Sequence, residues 1–577
     1  MPKYNATEGI IFERDLPIEM DDGVTLRCDV FRPDTTEKVP VIMTLGPYGK
    51  GVRYQEGYKA EWEWLIERHP ELAEHSTLSY MVWEVVDPEI WVRDGYAVIR
   101  VDARGSGRSS GRLDNFSPRE SRDFYDAIEW AAVQSWSSGK VGLCGVSYYA
   151  MSQWKVAALR PPHLAAILPW DGANEHYREI SHHGGILSTF WKMLFNLRIT
   201  RNQHGKGTNS LMDPWLHEPA AGPETLSDAE LDANREDVAG KMREHGLDDE
   251  FHRLYSADLE KIDVPVLSAA NWGGWGLHPR GNFEGFLKSS SKQKWLEVHG
   301  GRHEEAFVLP EAVALQKRFF DHFLKGVNNG WDKEPPVLLN VRHPGETFVK
   351  RNEYEWPLAR TQWTELYLDA GEMKIGWDTP IATAQVPFEG MSEGVQFLST
   401  PFDEEIEFTG PLAAKLFISS TTVDADLFVT LQAFDPEMNE VWFQGTLDPT
   451  TPIAQGCQRA SHRKLDLAKS TPYQPWHPHD EVQPLIPGDV YEIDVEIWPT
   501  SIVLPAGFRI AVTVAGRDFA RGASGPDDLA HKGSGPFMHN DPIDRPAGVF
   551  DGVTRLHTGA SYSSHILMPV VPDASVM

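Results

Sequence analysis

The sequence predicts an α/β domain built on a parallel sheet, followed by an all-β domain. Three observations carry this. Apolar strands alternate with amphipathic helices from Val39 to Leu324, the pattern of a parallel sheet covered by helices. From Pro335 the texture changes to short alternating runs separated by turn residues, as in a sandwich or jelly roll. At 577 residues the chain is too long for one ordinary core, so two or three domains are expected.

Taken in order, Ile10 to Pro33 predicts a hairpin around the turn signal Asp21-Asp22-Gly23. Val39 to Leu45 is an apolar strand that ends in Gly46-Pro47-Tyr48-Gly49-Lys50, and functional groups collect at such carboxyl ends. Residues 51–90 are aromatic and helical in tone, an insertion that decorates the sheet. Tyr96 to Val101 is the next strand. The glycine-rich loop Asp102 to Gly111 follows it without G-K-[ST] or Rossmann spacing, which argues against a phosphate cradle. Arg122 to Val133 reads as a helix, Lys140 to Val146 as a strand, and Met151, Trp154, Ala157 and Ala158 mark another helix. Leu164 to Trp170 is a strand ending in Asp171-Gly172. Asn174 to Lys261 breaks the rhythm and reads as an inserted helical cap. Asp263 to Ala269, helix 280–290, Lys294 to Val298 and helix Val313 to Leu324 restore it. The expected domains are 1–173 with 262–334 (sheet), 174–261 (cap) and 335–577 (β).

The formal net charge is -30 and the pI about 5.1. Such a field disfavours nucleic acid and anionic membranes and suits neutral or cationic small substrates. Three cysteines (Cys28, Cys144, Cys457) cannot build a disulfide framework, so a reduced, cytoplasmic protein is expected. Met1 to Leu16 is too polar for a signal peptide, and no apolar run reaches transmembrane length. The sequence leaves the oligomeric state open, a second copy of the chain being an admissible partner.

The stretch Lys140 to Ala150 runs from strand through tight turn to helix with Ser147 at the turn, the geometry of a nucleophile elbow. Gly145 permits the close approach that the turn needs. Tyr149 stands where G-x-S-x-G has its second glycine. A serine nucleophile needs a base, and the base an acid. In α/β hydrolases these follow in the order serine, acid, histidine. His303, after the last strand across Gly300-Gly301-Arg302, fits the base. His299, four residues earlier, has no accompanying zinc-ligand pattern, so neither metal nor cofactor is expected.

The pieces Gly46-Pro47-Tyr48, Asp102 to Ser109, Gly145-Val146-Ser147-Tyr148 and Gly300 to His303 resemble the CocE/NonD hydrolases. So do Asp424 to Val429 and Leu485-Ile486-Pro487-Gly488. This is the family of cocaine esterase, α-amino-acid ester hydrolases and X-Pro dipeptidyl-peptidases. The resemblance implies an α/β-hydrolase fold with an inserted helical cap, followed by a β jelly roll. It implies Ser147 as nucleophile, His303 as base, and the Tyr48 hydroxyl with the Tyr148 N–H as oxyanion donors. The family aspartate follows a tryptophan in the strand end before the last. Here Asn271 to His278 has no carboxylate, and Gly274 takes its place. Asp171, at the end of the strand after the elbow helix, is the substitute acid, with Glu175, Glu284 and Glu304 as alternatives. Trp170, Phe190, Trp191, Trp272 and Trp275 are pocket candidates that core packing would equally explain.

The expected activity is hydrolysis of carboxylic esters or amides through an acyl-enzyme. A rival is an X-Pro dipeptidyl-peptidase or α-amino-acid ester hydrolase, which would use Glu175 and Glu179 to hold a substrate ammonium. A non-catalytic rival, a binding protein on a degenerate hydrolase fold, rests on the absent aspartate.

Overall fold

The computed structural model describes residues 3–5, 9–520 and 537–572. Their first half is an eleven-stranded sheet in the spatial order Lys3–Asn5, Ile10–Glu19, Thr25–Pro33, Ala97–Asp102, Val39–Gly46, Ser137–Val146, Leu164–Trp170, Val266–Asn271, Lys294–His299, Val337–His343 and Thr347–Glu353. From Ala97–Asp102 to Val337–His343 the neighbouring strands run parallel. The helices Pro118–Ala132, Tyr148–Ala158, Pro279–Lys288 and Pro310–Lys325 connect them.

Strand alternation sends side chains into two cores. Val41, Met43, Val141 and Leu143 pack with Phe124 and Ile128 in one. Ile42, Cys144 and Val146 pack with Phe319 and Phe320 in the other. Helix Pro118–Ala132 starts where Ser117 accepts from the Glu120 N–H, with proline at its first position, so the chain enters it already set for helix.

The last two strands of this sheet are a departure from expectation. Val337–His343 and Thr347–Glu353 lie in the stretch assigned to the β domain from 335, yet they extend the parallel sheet. Alternation shows that a segment is a strand; it does not show which sheet receives it. The β domain follows, as a largely antiparallel twelve-stranded sheet curled so that Ile406–Ser420 pairs with Tyr491–Leu504, Val553–Thr558 and His565–Val571. Leu412, Leu416, Leu427, Val495 and Val512 lie in its core.

Residues 174–261 are less regular than the cap expectation. They form short helices such as Phe190–Leu194 and Val238–Glu244, wide turns at Tyr177–Ser181 and Phe195–Ile199, and two tiny strand pairs. The loop Asp102 to Gly111 is structural. The Asp102 carboxylate accepts from the Lys50 N–H (2.7 Å) and the Arg108 N–H (2.9 Å). A Cβ at Gly107 would meet that carboxylate at 2.2 Å, so the glycine makes room for a buried side chain and not for a phosphate.

Candidate active site

Ser147 sits at the turn between strand Ser137–Val146 and helix Tyr148–Ala158, at φ 55° and ψ −114°. A non-glycine residue there is strained, as a nucleophile elbow requires. The turn is held from three sides. The Ser147 N–H donates to the Trp170 carbonyl (3.0 Å), and the Ser147 carbonyl accepts from Met151 (2.8 Å). The Tyr148 hydroxyl donates to Glu120 and accepts from Asn115 Nδ2 at 2.8 Å. Tyr149 fits in place of the missing second glycine because Gly46 lies under its ring: a Cβ at 46 would stand 2.5 Å from Tyr149 Cε1.

The hydroxyl of Ser147 meets His278, whose Nε2 is 3.1 Å from Oγ. The expected partner, His303, stands one ring further from the serine. His278 stands just before the first residue of helix Pro279–Lys288, four residues after Gly274, and is buried. Burial and the neighbouring His303 hold its pKa well below the usual histidine range, so the ring is neutral. His303 stacks on His278 with ring centres 5.2 Å apart. Its Nε2 is 2.8 Å from Glu84 Oε1, and its Nδ1 is 3.9 Å from Asp171 Oδ2.

Asp171 is fully buried at φ 51° and its N–H donates to the Ala269 carbonyl (2.8 Å). Neither of its carboxylate oxygens makes a hydrogen bond. His299 Nε2 is 3.5 Å from Oδ1. Burial pushes Asp171 up to about 6 against the pull of His299 and His303. Burial also takes His303 down to about 4, with Asp171 opposing. Near neutral pH the pair is therefore carboxylate and neutral imidazole. The alternative acids are engaged elsewhere. Glu175 is bound by Arg178 and Arg280, Glu284 by Lys288 and Gln474, and Glu304 by the Glu84 N–H. Gly274 has no room for an acid, since a Cβ there would stand 2.9 Å from Pro279 Cδ.

Glu84 is the residue that the sequence reading missed. It is buried at φ 64°, and its carbonyl accepts from the Val146 N–H (3.0 Å), so the elbow strand holds it in place. Burial drives its carboxyl well above the ordinary range, although Trp83, Ser147 and the Tyr148 N–H favour its ionised form. It stands beside the nucleophile in the same cavity. Tyr48 is buried edge-on to the rings of Tyr148 and Tyr149 and lines the same cavity. Burial and Glu84 push its pKa well above 10, so its hydroxyl keeps its proton.

The cavity at Ser147 has a volume of about 220 Å³, and its apolar wall includes Trp83, Phe190, Met193, Leu194, Leu277 and Leu447. Of the expected aromatics only Phe190 lines it. Trp170 stacks on His299, and the Trp191 ring packs edge-on against Phe116. Trp272 donates to the Asn340 carbonyl (2.8 Å), and Trp275 packs on Trp498. Residue type alone does not separate pocket from core. Leu447 comes from the β domain, where the Thr446 carbonyl accepts from the His303 N–H (3.1 Å) and the Thr446 N–H donates to Gly273 (3.2 Å).

This geometry meets its relatives here. Residues 22–305 match the model of the X-Pro dipeptidyl-peptidase S15 family, and residues 329–567 that of the X-Pro dipeptidyl-peptidase C-terminal non-catalytic domain. The crystal structure of a CocE/NonD family hydrolase from Staphylococcus aureus superposes with a TM-score of 0.83 at 33% identity, covering 97% of this chain and 94% of that one. The chain belongs to the CocE/NonD family of hydrolases. Cocaine esterase from Rhodococcus sp. (strain MB1 Bresler) is 24% identical across 96% of this chain and 97% of its own length. An α-amino acid ester hydrolase shares the fold at 16% identity, with a TM-score of 0.67 over 99% of this chain and 98% of its own. The CocE/NonD chain described here is a serine hydrolase.

Proposed function

We propose that this CocE/NonD hydrolase cleaves carboxylic esters through an acyl-enzyme on Ser147. The observation that carries the reading is the Ser147 hydroxyl, 3.1 Å from a neutral imidazole in a largely apolar cavity. His278 takes the serine proton as Oγ attacks the carbonyl carbon, and returns it to the leaving alcohol. The Asp171–His303 pair stacked behind it supplies the negative field that favours the imidazolium. Tyr48 O–H and Tyr148 N–H hold the oxyanion, each such donor being worth about 2.7–4 kcal/mol of barrier. Water activated by the same imidazole then releases the acid. The substrate carbonyl takes the place beside Ser147 now held by the Glu84 carboxyl.

A second reading makes His303 the base. Its Nδ1 faces Asp171 as a triad base faces its acid, but its Nε2 must leave Glu84 to reach Ser147. His278→Gln and His303→Gln, assayed on a short-chain activated ester, separate the two. On the first reading the His278 variant loses about 10²–10⁴-fold in kcat and the His303 variant less. The reverse order establishes the second. Ser147→Ala should abolish turnover with the fold intact, and a variant that kept most of its activity would remove the elbow mechanism.

Glu175 and Glu179 are neutralised by Arg280 (3.0 and 2.9 Å), which weighs against an ammonium site there. Rates on paired esters with and without a free α-amino group test this. The segment 174–261 acts as the cap, since Phe190, Met193 and Leu194 reach the pocket from it, and the β domain is read as a jelly roll. The buried free thiols of Cys28, Cys144 and Cys457 fit a cytoplasmic enzyme.

A further inference from the structure

We propose that Asp171, His278 and His303 form a binding site for one divalent transition-metal ion, best matched by Zn²⁺, and that its occupation switches the hydrolase off. Each residue offers one ligand atom, and these atoms lie within 4.8 Å of one another. They converge from three elements: the turn after strand Leu164–Trp170, the start of helix Pro279–Lys288, and the loop after strand Lys294–His299. Two imidazoles and a carboxylate are a donor set that zinc accepts with a fourth position open.

The second observation is an accumulation of unmet hydrogen bonds. Asp171 Oδ1 and Oδ2, His278 Nδ1, His303 Nδ1 and His299 Nε2 are all buried and without a partner. Each such atom is uncommon in a folded protein and calls for an ion or water. His299 Nε2, 3.5 Å from Asp171 Oδ1, stands where it would orient the carboxylate from outside the ligand set.

The consequence for catalysis follows from tautomers. A neutral imidazole carries one N–H. Metal on Nδ1 of His278 leaves the proton on Nε2, which then donates to Ser147 Oγ and cannot accept its proton. Metal on Nδ1 of His303 likewise leaves Nε2–H facing Glu84. Ser147 loses both imidazoles as a base, with no covalent bond made or broken. The inhibition, unlike the binding, rests on the reading that an imidazole deprotonates Ser147.

The test uses the full chain, stripped with a chelator and titrated with Zn²⁺ by calorimetry and with Co²⁺ by visible absorption, alongside ester hydrolysis. One ion per chain is expected, with hydrolysis falling by about 10²-fold or more at saturation and returning with chelator. Mg²⁺ should do nothing, because it prefers oxygen ligands. Asp171→Asn and, separately, His303→Gln should lose the binding, with circular dichroism melts showing that both remain folded. Ser147→Ala should keep it. Binding that survives both ligand substitutions overturns the site, as does inhibition without stoichiometric binding. An active esterase that takes up no Zn²⁺ also overturns it, while leaving the hydrolase reading intact. Zn²⁺ bound by a chain that hydrolyses no ester supports the site and removes that reading instead.

Discussion

Buried imidazoles gather in two places in this molecule. At the seam between the 174–261 segment and the β domain they bond largely to one another: His183 Nδ1 meets His539 Nε2 at 2.7 Å and His462 Nδ1 meets His479 Nδ1 at 3.1 Å, while inside the segment His176 Nδ1 meets His252 Nδ1 at 2.8 Å and leaves only its Nε2 unpartnered. Backbone carbonyls take others, with His477 bonded to Lys464 at 3.1 Å and Asp494 at 3.0 Å. Around Ser147 the same side chain behaves differently. His278, His303 and His299 each leave a buried ring nitrogen unpartnered, facing a carboxylate that is also unpartnered. Satisfied imidazoles cement a joint; unsatisfied ones are available to a substrate, a proton or an ion.

The largest test of this contrast is truncation. A fragment 1–330 loses half of the seam, two strands of the hydrolase sheet and the Thr446 contact to His303. It should be insoluble or inactive by expression and esterase assay. A soluble, active fragment would show that the seam is dispensable. Next comes Tyr48→Phe, which removes a donor at the reactive cluster without touching the seam. Its kcat should fall about 10²–10³-fold with KM little changed. A loss confined to KM would make Tyr48 a binding residue only.

Acid should act on the seam and, over part of the same range, on His303, which burial also holds down to about 4. Burial, and then His539, hold His183 down to about 3; burial, and then Arg459, hold His462 down to about 4. Both lie below the 6.5 of an unfolded histidine, so between these values the unfolded chain binds protons that the folded chain refuses. Stability is full above about pH 6.5 and is lost as pH falls toward 4 and then 3. Thermal melts should show Tm dropping over that window. A flat Tm would mean that the buried imidazoles of both clusters accept charge. The smallest effect is expected from His462→Gln. It should cost about 1 kcal/mol in denaturant unfolding through the His479 hydrogen bond and leave kcat unchanged. A large loss of kcat would join the two clusters functionally.

The parts of the site legible in the sequence are those that a short stretch encodes whole. Ser147 is announced by strand, turn and helix in one run, and Tyr48 and Asp171 by their places just past apolar strands. Glu84 is not announced. It lies in a stretch that reads as a helical insertion, and the backbone pairing of Val85 with Gly145 brings it to the nucleophile. His278 closes the stretch searched for an acid, and no local pattern marks it as the imidazole that meets Ser147. The two strands after 335 were legible as strands and not as members of the hydrolase sheet. That choice depends on the parallel docking of Val337–His343 on Lys294–His299, which no local pattern expresses.

The two hydrogen bonds at Thr446 bear on how such a protein is inherited. A lineage that kept the α/β half and exchanged the other would receive a cleft with one wall absent, since Leu447 travels with the β half. A donor half would have to carry an equivalent of the short loop 444–448 as well as partners for the seam, such as His539 for His183 and Glu496 for Arg280. The descent of the second domain is tethered to the chemistry of the first.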